Sequence, residues 1–233
     1  MSVANLHAKG YTVINDVFTP KEVEIIAGQI SQANAAKLTF RKTADLYAIR
    51  QFLKEVPQIQ PLIFNAGLNA IIAQYFGPKY FVVKSIYFDK PQQSNWFVAW
   101  HQDLTISVDR KLDLPGFGPW TIKQGQYAVQ PPLDILENIF TIRIHLDDTD
   151  ENNGALRVIP GSHRHGVQRS KGPGVEEICT VNSGGIMIMR PLLQHASNRT
   201  TSGNRRRVIH IEFSNSSLPE GLAWAELSPP TSR

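Results

Sequence analysis

The apolar positions change period about a third of the way along the chain. Thr19, Pro20 and Glu22 read as an N-cap, a first helical residue and a capping-box acid, and Val23, Ile26, Ala27 and Ile30 then recur at helical spacing. The same period predicts helices from about Thr43 to Glu55 and from Pro61 to Phe76, the second stopped by Gly77 and Pro78. Beyond Gly77 the period becomes two. Strands are predicted at 80–88, 96–102, 138–148, 155–160, 176–181, 185–189 and 206–213. The cleanest alternation puts Phe140, Ile142, Ile144 and Leu146 on one face and Thr141, Arg143, His145 and Asp147 on the other. Such a strand turns one face to an apolar core and the other to water or a polar cavity. Asn153-Gly154 marks a tight hairpin turn.

Helices first and many short antiparallel strands afterwards predict a mostly β protein with flanking helices. Its jelly-roll-like core would span 80–215 and its helical buttress 1–79, within one domain covering 1–233. The stretch 113–132, inside a longer connection at 104–138, is rich in Pro, Gly and aromatic residues. It is too long for an ordinary loop, and a lid carrying Trp120 and Tyr127 is expected there.

Composition narrows the chemistry. The single cysteine, Cys179, excludes an internal disulfide or a thiolate zinc site, so a metal would need His and carboxylate ligands. With no signal-like leader and no apolar run of membrane-spanning length, a cytoplasmic location is the default expectation. The net charge of +4 is modest, and its one dense run, Arg205 to Arg207, lies in a predicted strand, so neither a nucleic-acid nor a membrane partner is expected.

In "AWHQDLT" (99–105), an extended backbone sends His101 and Asp103 to one side and Gln102 to the other. Alone, the pair is equally what a surface ion pair would give. His195, after a short apolar strand and before a turn, supplies a second candidate imidazole. His7, His145, His163, His165 and His210 read more simply as solvated or hydrogen-bonded. A His-x-Asp pair with one distant His is the sequence form of a facial triad, which holds Fe(II) on one face and leaves positions open. A 2-oxo-acid co-substrate would further need an arginine fork for its far carboxylate. Arg206 shares a predicted strand face with Val208, His210 and Glu212, whereas Arg207, Ile209, Ile211 and Phe213 share the other.

Three blocks, "WHQD" (100–103), "IRIHLDDTDENNGALRVIPGSHRHG" (142–166) and "HASNRTTSGNRRRVIHIEF" (195–213), together resemble the phytanoyl-CoA dioxygenase (PhyH) family of Fe(II)/2-oxoglutarate oxygenases. The resemblance implies a double-stranded β-helix, or cupin-like jelly roll, and cofactors Fe(II), 2-oxoglutarate and O2. It implies His101, Asp103 and His195 as metal ligands, Arg206 for the distal carboxylate of 2-oxoglutarate, and Ser197 and Thr141 as further co-substrate contacts. The implied reaction hydroxylates an unactivated C–H bond and releases succinate and CO2. An intact Asp103 favours hydroxylation over halogenation, because related halogenases carry a small residue there.

Candidate substrate contacts are Trp100, Gln102, Lys84, Tyr87, Arg143 and Trp120, with Tyr47, Leu104, Lys123 and Tyr127 nearby. For each aromatic residue, core packing is an equal alternative. The cations Lys84, Lys123 and Arg143 point to an anionic or zwitterionic small molecule. Two other readings are a 2-oxoglutarate-independent cupin-type dioxygenase, with no need of Arg206, and a jelly-roll hydroxylase of polypeptides, which needs an open groove.

Overall fold

A computed structural model describes residues 3–33, 39–43, 47–92, 94 and 96–227. The chain runs through α1 (Val3–Lys9), β1 (Tyr11–Ile14), α2 (Pro20–Ser31), β2 (Phe40–Lys42), β3 (Tyr47–Arg50), α3 (Phe52–Glu55), α4 (Gln60–Ile63) and α5 (Ala66–Phe76). It continues as β4 (Phe81–Lys90), β5 (Val98–His101), β6 (Ile106–Val108), β7 (Trp120–Lys123), β8 (Gln126–Val129), α6 (Leu133–Glu137) and β9 (Ile139–His145). The last strands are β10 (Leu156–Val158), β11 (Glu177–Cys179), β12 (Ile186–Met189), β13 (His195–Ser197) and β14 (Arg206–Ser214).

The architecture is the expected mostly β, cupin-like jelly roll. A seven-stranded antiparallel sheet, ordered β1-β12-β9-β14-β4-β3-β2, stands with a four-stranded sheet ordered β11-β10-β13-β5, and the sheets do not close into a barrel. The larger sheet has two differently occupied faces because its strands alternate. Phe140, Ile142 and Ile144 of β9, Ile186 and Ile188 of β12, and Ile209, Ile211 and Phe213 of β14 form one apolar face. It packs against Ile26 and Ile30 of α2, Phe52 and Leu53 of α3, and Leu68 and Ile72 of α5. Thr19 caps α2 through the predicted capping box, its hydroxyl accepting from the Glu22 amide while the Glu22 carboxylate accepts from the Thr19 amide.

The N-terminal part is less helical than its period suggested. Where a helix was expected over Thr43–Glu55, Tyr47–Arg50 pairs with β4 as a strand and only Phe52–Glu55 is helical; 44–46 lie outside the described residues. The helix expected over Pro61–Phe76 is two helices, parted at Phe64 and Asn65, where the Asn65 side chain caps α5 by accepting from the Leu68 amide. The 104–138 connection also has structure of its own. β6, β8 and β7 form a three-stranded sheet, followed by α6, over a second apolar cluster that includes Ile106, Val108, Val129 and Trp224.

Candidate metal and co-substrate site

Cross-strand pairing sets the site. β13 pairs antiparallel with β5 so that His195 stands opposite His101, their rings 4.1 Å apart between centroids. Just past β5, the Asp103 amide donates to the Pro191 carbonyl at 2.9 Å, turning its carboxylate toward both rings. Asp103 Oδ1 lies 3.8 Å from His101 Nε2, and Oδ2 lies 3.8 Å from His195 Nε2. One ligand atom from each of the three residues falls within 4.8 Å of the others, so the group can hold a metal ion.

The rings are prepared for that role. His101 Nδ1 donates to the Ala99 carbonyl at 2.8 Å and His195 Nδ1 to the Leu193 carbonyl at 2.9 Å, which leaves both Nε2 lone pairs for a cation. Burial pushes the His195 pKa down to about 4, only partly offset by Asp103, so this imidazole is neutral at neutral pH. Burial works against ionisation of Asp103, but His195, His210, Lys84 and His101 outweigh it and hold the carboxyl below its usual range.

Facing the triad, the inner side of the large sheet carries polar side chains in rows fixed by the strand register. Met189, Thr141, Glu212 and Lys84 form one row, and Met187, Arg143, His210 and Ile86 the next. His145, Val208 and Phe88 follow, then Arg206 and Lys90. Arg206 is 4% exposed, donates from Nη1 to the Gly154 carbonyl at 2.5 Å, and buries its Nε–H without a partner among the described residues. Gly154 is required there. Its φ is +86°, and a Cβ would meet the Lys90 ammonium at 2.7 Å and the Asn198 carbonyl at 2.9 Å.

The family model for phytanoyl-CoA dioxygenase (PhyH) matches residues 6–208. The chain belongs to the phytanoyl-CoA dioxygenase family. Solved structures share the fold at low identity. EctD from S. alaskensis has a TM-score of 0.69 at 18% identity, over 91% of this chain and 75% of that one. The carbocyclase SnoK from nogalamycin biosynthesis, described as non-heme and α-ketoglutarate-dependent, has a TM-score of 0.65 at 15% identity, over 91% and 82%. HygX from Streptomyces hygroscopicus, solved with nickel and 2-oxoglutarate bound, has a TM-score of 0.64 at 15% identity, over 92% and 87%. Family, fold and triad together support an Fe(II)- and 2-oxoglutarate-dependent oxygenase.

Within this PhyH-family fold the remaining candidates separate. Ser197 lies beside Arg206, its hydroxyl donating to the same Gly154 carbonyl at 2.8 Å, so it braces the turn that holds the guanidinium. Thr141 stands three rows from Arg206, which is ~20 Å along a strand. It neighbours Glu212, with its hydroxyl buried and unpartnered among the described residues. Lys84 and Arg143 face the triad. Lys84 Nζ donates to Glu212 Oε1 at 2.7 Å, and although burial opposes its charge, Glu212 and Asp103 hold its pKa up.

Four aromatic or polar candidates are engaged elsewhere. Trp100 alternates away from His101 and packs under the cations of Arg157 and Lys171. Gln102 is buried as a bracket, donating to the Gly166 and Leu192 carbonyls and accepting from the Gln168 amide. Tyr87 lies on the sheet's other face against Phe52 and Tyr47. Trp120, with Leu104 and Tyr127, packs on the three-stranded sheet's own core, and Lys123 is exposed at the end of β7. His145 and His210 are hydrogen-bonded imidazoles, as their sequence context suggested, His145 with Thr149 and His210 with Arg143 and Glu212; Glu212 and Lys90 were not singled out. Glu212 was within reach, because it shares Arg206's alternating face; Lys90 becomes visible only once β4 is set in register with β14.

Proposed function

We propose that this protein is an Fe(II)- and 2-oxoglutarate-dependent hydroxylase of a small molecule, with His101, Asp103 and His195 as metal ligands and Arg206 receiving the distal carboxylate of 2-oxoglutarate. The observation carrying this reading is the convergence of two Nε2 atoms and one carboxylate whose partner groups are already satisfied by backbone. Two imidazoles and one carboxylate on one side of a metal leave its other positions for co-substrate and O2. The buried Nε–H of Arg206, unpartnered among the described residues, fits a carboxylate fork, since such a group costs about 1–3 kcal/mol until paired. A 2-oxoglutarate-independent dioxygenase would give that guanidinium no role.

When bound, iron and 2-oxoglutarate supply the oxidising chemistry, consuming O2 and releasing succinate and CO2 as a hydroxyl group enters a C–H bond. The chain's own part is placement. The Ala99 and Leu193 carbonyls orient the imidazoles, Asp103 supplies one anionic donor, and Arg206 with the Gly154 turn sets how far the co-substrate reaches. Leu156, Val158, Met187, Met189 and Leu193 form an apolar cluster between the sheets that keeps water from part of the interior.

Anaerobic titration of the Fe(II)-loaded protein with 2-oxoglutarate is expected to produce the weak visible charge-transfer band of the chelate. Asp103→Ala is expected to remove that band and weaken metal binding while leaving the circular dichroism spectrum unchanged. Wild-type protein that holds iron yet shows no band, or an Asp103→Ala protein that still turns 2-oxoglutarate into succinate at the wild-type rate, would refute the assignment.

A further inference from the structure

Arg143 is a second arginine inside the sandwich, 8% exposed and one row from the Lys84–Glu212 pair. Its bonding is incomplete. Nη1 donates to His210 Nδ1 at 3.1 Å, so that nitrogen is an acceptor and His210 Nε2 carries the proton it donates to Glu212 Oε1 at 3.0 Å. Glu212 also receives Lys84, so its charge is spent on the lysine and the imidazole rather than on Arg143. The Arg143 Nε–H is buried with no partner among the described residues.

The charges around it do not balance. Asp103 attracts Arg143, while Arg206 and Arg143 repel each other across the interior; burial is the largest influence on both, pushing Arg143 down to about 10 and Arg206 to about 9. On the function proposed above, on which this step rests, Fe(II) and doubly charged 2-oxoglutarate cancel, and Asp103 offsets one arginine. One buried guanidinium beside the metal then remains uncompensated, a costly arrangement unless an anion arrives.

We infer that Arg143 is the docking point for an oxyanion carried by the substrate, such as a carboxylate or a sulfate or phosphate ester, and that this group selects the substrate class. A planar guanidinium offers an oxyanion two parallel N–H donors, and the orphaned Nε–H is one member of such a fork. A neutral substrate would leave that donor unpaired, so discrimination comes from the site's own unmet bond.

The test uses acetate as the probe and acetamide as its neutral counterpart, with the Fe(II)- and 2-oxoglutarate-loaded protein held anaerobic. Relaxation of the probe's methyl protons by the paramagnetic iron reports binding near the metal. Acetate is expected to relax strongly and acetamide weakly. Arg143→Gln should lower acetate affinity by at least about tenfold, within the range for a charged hydrogen bond, while the chelate band still titrates with 2-oxoglutarate as in wild type. Arg143→Lys, which keeps the charge and is the milder change to the interior, should weaken acetate severalfold and still prefer it to acetamide. The inference is overturned if wild type treats the two probes alike, if Arg143→Gln binds acetate as wild type does, or if it loses 2-oxoglutarate as severely as Arg206→Gln. Should wild type form no chelate band, the proposed function fails on its own. The acetate titration with metal alone, compared between wild type and Arg143→Gln, would then still decide for or against Arg143.

Discussion

Arg205, Arg206 and Arg207 are consecutive and meet three different environments. Arg205 is half exposed and pairs with Asp89, which receives both its Nε and Nη2. Arg207 pairs with Asp147, whose Oδ2 also accepts the Arg207 amide at 2.8 Å. Only Arg206 turns inward. Lysine keeps the charge at each position and loses the fork, so Arg206→Lys is expected to raise the 2-oxoglutarate KM by at least about tenfold, the scale of one charged hydrogen bond. Arg205→Lys and Arg207→Lys should leave that KM within about twofold, since exposed or half-exposed pairs are worth little. A rise confined to either of those two would mean that β14 is read one residue out of step. The inward face of Arg206 was legible in the alternation from Val208 to Phe213, but Asp89 and Asp147 were not, because cross-strand partners depend on register. The same distinction explains Trp100 and Gln102. They sit next to ligands in sequence, yet each points away from the triad and is held by its own partners.

At the scale of elements, long strands with strict alternation were read correctly, and short ones were hidden. β1 has four residues, too few to show a period, and becomes a strand through its pairing with β12. Tyr47, Ile49, Phe52, Leu53 and Val56 satisfy a helical spacing as well as a strand followed by a turn, and pairing with β4 decides between them. The 104–138 connection was expected to be a lid because of its length, yet Ile106, Val108 and Val129 are buried within it and Val108 bridges to Trp224. β6 also begins three residues after Asp103. Any closing movement over the site would therefore carry a folded sheet as a body. Hydrogen exchange on the substrate-free protein is expected to show β6 and β8 protected and the β7–β8 turn at Gln124 and Gly125 exchanging fast. Rapid exchange across all of 104–138 would restore the picture of an unstructured lid.

At the scale of the whole molecule, a net charge of +4 gives no hint of where charge is buried, and the interior holds the more informative distribution. Burial lowers the pKa of His195 to about 4 and also lowers those of His145 and His210, against an ordinary value of 6.5. In the unfolded chain each imidazole returns to about 6.5. Below that pH the unfolded state takes up protons that the folded state refuses, so folded stability is complete above about 6.5 and declines as pH falls. Asp103 and Glu212 carry the loss further into acid. Burial raises their pKa values, but neighbouring positive groups more than reverse this and leave both lowered, so each favours folding until it is protonated. His195 alone would account for about 2 kcal/mol between pH 7.5 and pH 5, at roughly 1.4 kcal/mol per unit. The urea midpoint of metal-free protein is therefore expected to drop over that interval. His145→Gln, which removes one of the three imidazoles and lies outside the triad, should make the drop shallower. Added Fe(II) or Ni(II) should raise the midpoint at pH 7.5, because the metal binds the folded triad and not the unfolded chain. A metal-free midpoint that stays flat across the interval would mean that the three imidazoles titrate as they do in water, and the sandwich would then be open to solvent where the structure shows it closed.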